Sequence, residues 1–468
     1  MKSAIRISAL LWADILVGYA MFVMQDYLTD VWGLSFTHAA AILNIWNGIS
    51  FILQPLFLFF VVDAFLGNFG MLVISSTTYT LGIFFLFMSA PPILANSTGT
   101  CKQYEQECIG RTQKALFYTG MALIAVGVAG NNVSVSSFLE EQDKETHDYG
   151  AVIGCLRIPS MIMVALVGLI GAIALPYIKP WTIRFGIPAI CTAIAWLSFL
   201  TGLCCYKYNI LGPERNKILG PERNKILEPE RNKIGKMCRM FSLEMLPMLI
   251  TFIACGIVSS TGNTYFVEQA KNLDRNLGKW KVPTQMLLLA QTWLGRLLAF
   301  LAGLIFKGST SRFIVAKLFA VLCCTAAALI EKMRLNKVRN HSLLDSPDED
   351  IPMRVYWLLF QFVLLGGLDS LLEKSVDEFN EDESDGEEPE RPWLKIFTKG
   401  VSGVGYLCSV LSVYVVGRIS GKGGKPSWFQ FTLNRSHLDR YYWVLAVLSG
   451  VSIVLFVVGR LCCRCRNR

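Results

Sequence analysis

Charge is scarce along this chain and is absent from several long stretches. Only 17% of the 468 residues are Asp, Glu, Lys or Arg, and 53% are hydrophobic, whereas a soluble domain carries charge on roughly a quarter of its residues. No charged side chain occurs in residues 64–101, 115–139, 158–178 or 185–206. These stretches reach the roughly 20 residues that cross a bilayer as a helix, so we expect an all-α integral membrane protein.

Histidine is also rare, and this limits the chemistry that the chain can perform. The four histidines have no metal-ligand spacing around them, so neither a metal site nor a cofactor is predicted. No nucleophile, general base or phosphate-binding loop has a usable spacing, and we therefore predict that the chain is not an enzyme. The net charge of +9 is modest for this length and indicates basic loops beside anionic lipid rather than a nucleic-acid partner.

Hydropathy predicts about twelve membrane-spanning helices in two groups of six. The predicted spans, numbered in chain order, are residues 7–25, 38–62, 69–90, 115–138, 152–177, 183–206, 244–267, 283–306, 312–330, 353–374, 395–417 and 441–461. We therefore predict two six-helix bundles, at residues 1–206 and 244–468.

The polar linker between the bundles, residues 207–243, contains an eight-residue repeat. Asn216 to Arg223 and Asn224 to Arg231 are near-identical copies, and the Pro in each copy prevents a continuous helix. A second polar segment, the acidic insert near residues 377–391, interrupts the second bundle, and its like charges predict disorder. Either the insert is a solvated loop, or it binds the basic linker and acts as a gate.

The distribution of basic residues predicts which side of the membrane each loop faces. The linker and the C-terminal residues are rich in Lys and Arg, so both termini and the linker are predicted to be cytoplasmic. The loops after spans 3, 9 and 11 then face away from the cytoplasm. They contain candidate glycosylation sites at Asn96, Asn340 and Asn434, and Cys101 and Cys108 share the first of these loops as a candidate disulfide. The plasma membrane and the vacuolar membrane both fit this topology.

Several short strings, in order along nearly the whole chain, resemble the plant nitrate and peptide transporter family, a branch of the proton-coupled oligopeptide transporters in the major facilitator superfamily. They include Tyr27-Leu-Thr29, Val62-Asp-Ala-Phe-Leu-Gly67, Gly127-Val-Ala-Gly130, Thr264-Tyr-Phe-Val-Glu-Gln269 and His437-Leu-Asp439. The resemblance implies a major-facilitator-like fold, in which two six-helix bundles surround a cavity that opens alternately to each side of the membrane.

The sequence departs from the family pattern at positions that matter for proton coupling. The paired glutamates and arginine expected in span 1 are missing, and residues 9–27 offer only Asp14 and Asp26 as acids, with no Lys or Arg. Asn132 replaces the basic residue expected after the glycines of span 4. We therefore regard the chain as a divergent member of the family, in which proton coupling would need other carboxylates. Asp14 and Asn132 are nevertheless candidates for the substrate or proton pathway.

Carboxylates within predicted spans are the main candidates for a proton or substrate pathway, because ionisable groups in the membrane are usually functional. Asp369 stands where the resemblance implies a glutamate in span 10, and Glu373 lies four residues later on the same helix face. Arg296 is a candidate counter-charge. Lys317 is a weaker one, since it is near enough to a polar loop to reach the lipid headgroups.

Two functions remain open at this point. The first is a secondary active transporter of a small solute, such as nitrate, a short peptide or a plant hormone or metabolite, with the proton as its coupling ion. The second is a transport-inactive relative that acts as a regulatory or scaffold membrane protein, which the lost charges of span 1 favour. Fold alone does not separate the two.

Overall fold

The structure, a computed structural model, describes residues 2–144, 166, 168–171, 173–203, 206, 246–347, 349–383 and 393–466. Helices dominate these residues. They are α1 (Lys2–Phe22), α2 (Met24–Asp30), α3 (Phe36–Leu56), α4 (Gly67–Met88), α5 (Pro91–Thr98), α6 (Arg111–Lys144), α7 (Trp181–Leu200), α8 (Leu246–Thr261), α9 (Val267–Lys271), α10 (Gln285–Ile305), α11 (Ser309–Asn340), α12 (Leu359–Glu383), α13 (Trp393–Ser420) and α14 (Leu438–Arg466).

The described residues contain ten segments that are long and apolar enough to cross a membrane. One of them, Phe36–Met88, has 53 residues and contains the second and third predicted spans. Gly67 interrupts it with a φ of 65°, which a helix cannot adopt. The ten segments therefore account for eleven of the predicted spans. The fifth span, 152–177, lies mostly outside the described residues, and the linker 207–243 lies entirely outside them.

Three helices continue well past the ends that hydropathy predicts. α6, α11 and α12 extend to Lys144, Asn340 and Glu383, instead of residues 138, 330 and 374. The backbone remains helical after the apolar stretch ends, because a helix satisfies its own hydrogen bonds in water as well as in lipid. Hydropathy marks the part of a helix that lipid can cover, and not the end of the helix itself.

The prediction of disorder in the acidic insert is wrong for its first seven residues, Asp377 to Glu383, which belong to α12. Two acidic side chains in this stretch have basic partners on neighbouring helices. A carboxylate oxygen of Glu378 lies 3.0 Å from the guanidinium of Arg312, and one of Asp377 lies 3.5 Å from Nζ of Lys395. The remainder of the insert is outside the described residues, so its role as a gate stays untested.

The chain divides into two compact units. Unit 1 contains residues 1–33 and 49–234, and unit 2 contains residues 34–48 and 235–468. In unit 1, α4 packs against α6 and α7, and α1 packs against α7. Apolar side chains from these four helices form a buried cluster that includes Leu10, Leu72, Phe138 and Phe199. The domain boundaries predicted from the sequence remain a prediction, since the linker is not described.

Unit 2 is built from pairs of packed helices. The main pairs are α8 with α13, α10 with α12, and α11 with both α12 and α14. Short strands join the loops: Leu273–Asp274 pairs in parallel with Ile351–Arg354, and Asn276–Leu277 forms a hairpin with Trp280–Lys281. A π-helical turn, Gly262–Phe266, connects α8 to α9. Such turns insert an extra residue into a helix and occur frequently at functional sites.

Glycines lie at close helix contacts in unit 2. Gly295 of α10 faces Gly366 of α12, and a Cβ on Gly366 would overlap the backbone carbonyl oxygen of Gln291. Likewise, Gly256 of α8 faces Gly405 of α13. Small residues at such contacts let helix backbones approach each other, which gives membrane helices their packing energy.

We expect Gly366→Ala to reduce the yield of folded protein sharply, because the added methyl group meets a backbone atom that cannot rotate away. Gly450→Ala is the matched control: Gly450 also lies in a membrane helix, but no atom lies within 4 Å of the position of its Cβ. The control should retain wild-type yield. Size-exclusion profiles of the two variants in detergent measure the difference, and equal monodisperse yields would contradict the close contact.

Candidate functional site

Asp369 is an intramembrane carboxylate with a defined hydrogen-bond donor. It lies midway along α12, three residues after the glycine contact with α10, and its side chain is half-buried. The hydroxyl of Ser259, which is only 6% exposed on α8, donates to Asp369 Oδ1 at 2.6 Å. The carboxylate is therefore held between two helices. Lys399 of α13 is close enough for its positive charge to attract the Asp369 carboxylate.

A chain of neutral polar groups lies beside Asp369 in unit 2. Asn263, in the π-helical turn, donates through Nδ2 to the hydroxyl of Tyr406 at 2.8 Å, and Gln291 Nε2 donates to Asn263 Oδ1 at 3.4 Å. Tyr406 in turn lies within electrostatic range of Asp369. Amide and hydroxyl groups inside a membrane bundle can bind a polar solute or relay a proton.

Sequence reasoning missed these neutral residues, although one signal was available. Ser259 and Asn263 are four residues apart, which places them near each other along one face of a helix. The sequence does not show that Tyr406 and Gln291 approach the same point, because they come from separate helices. Neutral polar residues are also common enough in membrane spans that their type alone does not mark a site.

Glu373 is exposed and forms an ion pair with a lysine. Its side chain is 58% exposed, and Oε1 lies 2.7 Å from Nζ of Lys395 on α13. It lies within electrostatic range of Asp369 and of Arg296, so the structure brings these three candidates into one charged region of unit 2. The Arg296 side chain is exposed on α10. Asp369 is therefore the most enclosed of the three.

Lys317 does not reach toward the headgroups, and that interpretation of the sequence is wrong. Its side chain is 1% exposed, and Nζ donates to the backbone carbonyl of Ser452 on α14 at 2.7 Å. The ammonium also lies 4.7 Å from the centre of the Phe456 ring, which is a favourable cation–π distance. Packing between α11 and α14 keeps the side chain inside unit 2, where it has found polar and aromatic partners.

Asp14 occupies a separate site in unit 1. The Tyr79 hydroxyl on α4 donates to Asp14 Oδ1 at 3.0 Å, and Tyr79 is 2% exposed. Asp14 lines a cavity of about 240 Å³ together with Asn131 and Asn132 of α6. Asn131 is buried and accepts a hydrogen bond from Ser75 at 2.7 Å, whereas Asn132 is exposed. The sequence suggested only Asn132 as a site residue, because it stands where the family pattern has a basic residue and Asn131 does not.

The candidate disulfide and glycosylation sites have different surroundings. Cys101 and Cys108 form a disulfide in the loop before α6. Asn96 and Asn340 are exposed, and both stay candidates for glycosylation. Asn434 is only 3% exposed; its amide nitrogen donates to the Leu343 carbonyl, and its oxygen accepts from Arg334. This side chain has no room for a glycan, so Asn434 is withdrawn as a candidate.

Long apolar helices in two compact units define a multi-pass integral membrane protein, and carboxylate and amide groups inside the spans give it polar sites within the membrane. Solved structures with a similar fold agree with this. One, titled "Crystal structure of auto inhibited POT family peptide transporter", has a TM-score of 0.66 and 16% identity, covering 98% of this chain and 96% of that chain. Another, a POT family transporter with a thioalcohol conjugated peptide, has a TM-score of 0.65 and 11% identity, covering 97% and 95%. The fold is therefore major-facilitator-like.

Sequence relatives identify the family within that class. The family description "PTR2: POT family" matches residues 69–218. "Protein NRT1/ PTR FAMILY 5.5" of Arabidopsis thaliana is 30% identical, covering 96% of this chain and 95% of the relative. "Protein NRT1/ PTR FAMILY 5.13" of the same plant is 28% identical, covering 92% and 87%. The chain belongs to the nitrate and peptide transporter family, within the proton-coupled oligopeptide transporters, and it is a transporter and not an enzyme.

Proposed function

We propose that this transporter moves a small anionic or zwitterionic solute, such as nitrate, a short peptide or a plant hormone or metabolite, together with a proton, and that Asp369 carries the proton. The supporting observation is the Asp369 carboxylate, half-buried in a membrane span and held by the Ser259 hydroxyl at 2.6 Å. No cofactor is needed, since the proton gradient supplies the driving force.

Asp369 is a better proton carrier than Glu373 because of their different partners. A carboxylate that forms an ion pair with a lysine, as Glu373 does with Lys395 at 2.7 Å, is held in its charged form by that lysine. Asp369 instead accepts its hydrogen bond from a neutral hydroxyl, which can be retained when the carboxyl group gains a proton, since a hydroxyl both donates and accepts.

The surroundings of Asp14 favour transport over the alternative of an inactive scaffold. That alternative depends on the charges missing from the first span. The span retains Asp14, however, with a Tyr79 donor and a cavity beside it, and a pure scaffold has no need for an intramembrane carboxylate. Peptide and other small-molecule complexes are named in the titles of similar structures, which supports a small solute here.

The location in the cell forms part of the same proposal. Both termini face the cytoplasm, and the host membrane is the plasma membrane or the vacuolar membrane. The basic linker and the basic C-terminal residues support this orientation. A protease-protection assay with a tag at either end of the full chain checks it: in intact cells a cytoplasmic tag is cut only after the plasma membrane is opened, whereas on isolated vacuoles it is cut without opening the membrane.

Uptake by purified full-length protein in liposomes tests the function. A panel of labelled nitrate, dipeptides and plant hormones is offered with and without an imposed proton gradient. We expect at least one solute to accumulate inside the liposomes when the outside is acidic. When the gradient is collapsed, its inside concentration should rise no higher than the outside concentration. If folded, monodisperse protein accumulates none of them under any gradient, the inactive scaffold becomes the better description.

A further inference from the structure

We propose that the cavity beside Asp14 in unit 1 is a binding site for the ammonium group of a small amphipathic solute, with Asp14 as its counter-ion. This inference rests on the proposed transport function for its role in the cell. Binding can be measured without transport, however, so the two can fail separately. The site would select amines and amine-bearing zwitterions over nitrate.

The lining of the cavity combines one charged group with polar and apolar walls. Its volume is about 240 Å³, slightly below the roughly 300–1,000 Å³ of drug-sized ligand pockets. A compact solute, or one end of a longer one, therefore fits. The described lining residues are Leu10, Leu11, Asp14, Asn131, Asn132, Val135, Ser136 and Leu139.

The carboxylate of Asp14 is placed to receive a cation. Tyr79 supplies one hydrogen bond, to Oδ1, whereas an ionised carboxylate can accept about four. An ionised group inside a membrane span is costly without compensation, and an ammonium group would supply both opposite charge and up to three hydrogen-bond donors. Tyr79 is buried against α6 and fixes the direction of the carboxylate, so it is a positioning residue.

The amide wall of the cavity determines which charge is accepted. Asn131 is fixed by Ser75, while Asn132 is exposed and offers its amide to a ligand. None of the described lining residues carries a positive charge, and Asn132 occupies the position where the family pattern has a basic residue. Among these described residues, an anion such as nitrate would therefore meet a carboxylate and no compensating cation. The same charge attracts an amine.

The apolar part of the lining indicates the rest of the ligand. Leu10 and Leu11 on α1 and Val135 and Leu139 on α6 line the same cavity with hydrocarbon. Burying a solute's own apolar group there removes it from water, which favours binding. The best ligand thus has an ammonium group next to a short aliphatic or aromatic group.

Equilibrium binding of leucinamide to the purified full chain in detergent tests the proposal. Leucinamide has an ammonium group next to a branched apolar chain, and N-acetyl-leucinamide has the same apolar chain without the charge. We expect the acetylated compound to bind at least about tenfold more weakly, since a hydrogen bond to a charged group is lost. Asp14→Asn should weaken leucinamide binding by a similar factor. Asp345→Asn, which removes an exposed acid elsewhere, should leave it unchanged.

A second variant keeps the test decisive if Asp14→Asn does not fold. Asn132→Lys places a cation on the exposed wall of the cavity, beside Asp14. We expect it to lose leucinamide binding at least about tenfold and to gain binding of N-acetyl-leucine, whose charged group is a carboxylate. Loss of amine binding together with gain of anion binding would place both residues at the ligand.

Three results would overturn the ammonium site. The first is equal binding of leucinamide and its acetylated form. The second is no binding of leucinamide to the wild-type chain at about 1 mM. The third is tighter binding of nitrate than of leucinamide to the wild-type chain. If leucinamide binds as expected but no solute accumulates in liposomes, the site stands and the proposed transport function fails. If solutes accumulate but leucinamide does not bind, the reverse holds.

Discussion

Uptake by the Asp369→Asn variant is expected to lose its dependence on the proton gradient. Asparagine has nearly the same shape, and its amide oxygen can still accept the hydrogen bond that Ser259 donates, so the fold should be retained. The amide group, however, cannot exchange a proton. For a symporter that moves one proton with one neutral solute, a gradient of one pH unit supports about tenfold accumulation. We expect that accumulation to disappear in the variant.

Liposomes loaded at one pH and diluted into another measure this effect. Counterflow, in which labelled solute outside exchanges for unlabelled solute inside, should persist in Asp369→Asn, because exchange needs no net proton movement. Glu373→Gln is the matched control, since it removes a nearby carboxylate that is exposed and paired with Lys395. It should respond to the gradient like the wild type. Normal accumulation by Asp369→Asn would show that another group carries the proton.

Breaking the buried ion pair of Glu331 and Arg334 is expected to cause the largest loss of stability. Both side chains are at most 2% exposed; Arg334 Nε and Nη2 each donate to the Glu331 carboxylate at 2.8 Å, and Nη1 donates to Asn434 Oδ1 at 2.7 Å. Removing one member leaves a buried charge without its partner, which costs about 3–5 kcal/mol. Glu331→Gln should therefore lower the melting temperature in detergent by about 6–20 °C.

Two comparisons separate this effect from a general sensitivity to mutation. Arg435 and Asp345 form an ion pair whose side chains are 59% and 74% exposed, and Arg435→Ala should cost at most about 1 kcal/mol. The double replacement Glu331→Leu with Arg334→Leu should be less destabilising than either single change, because no unpaired charge remains. A melting temperature for Glu331→Gln equal to that of Arg435→Ala would contradict the role of the buried pair.

The helical membrane fold could be predicted from the sequence because lipid imposes a simple requirement on composition. A helix that crosses the bilayer needs an uncharged stretch of about 20 residues, and the sequence contains several such stretches. Asp369 could be singled out because it is a carboxylate within a predicted span and stands where the family resemblance implies a glutamate. The structure keeps Asp369 inside a membrane helix.

Properties that depend on packing could not be predicted in this way. Lys317 lies close to a polar loop in sequence, yet its ammonium is enclosed by α14. Asn434 matches a glycosylation triplet, yet its amide is used inside unit 2. In each case the deciding partner, Ser452 or Leu343, lies more than ninety residues away along the chain. No local pattern reports such a contact.

The paired glycines have a mechanical consequence for proton coupling. The contacts of Gly295 with Gly366 and of Gly256 with Gly405 leave no space between the backbones for a side chain. We therefore expect α10 with α12, and α8 with α13, each to move as one stiff pair of helices, called a rod below. Asp369 belongs to the first rod and Ser259 to the second. Their hydrogen bond is thus a cross-tie, and sliding one rod past the other must stretch it. If Asp369 carries a proton during transport, as proposed above, gaining or losing that proton changes the hydrogen bond that ties the two rods together.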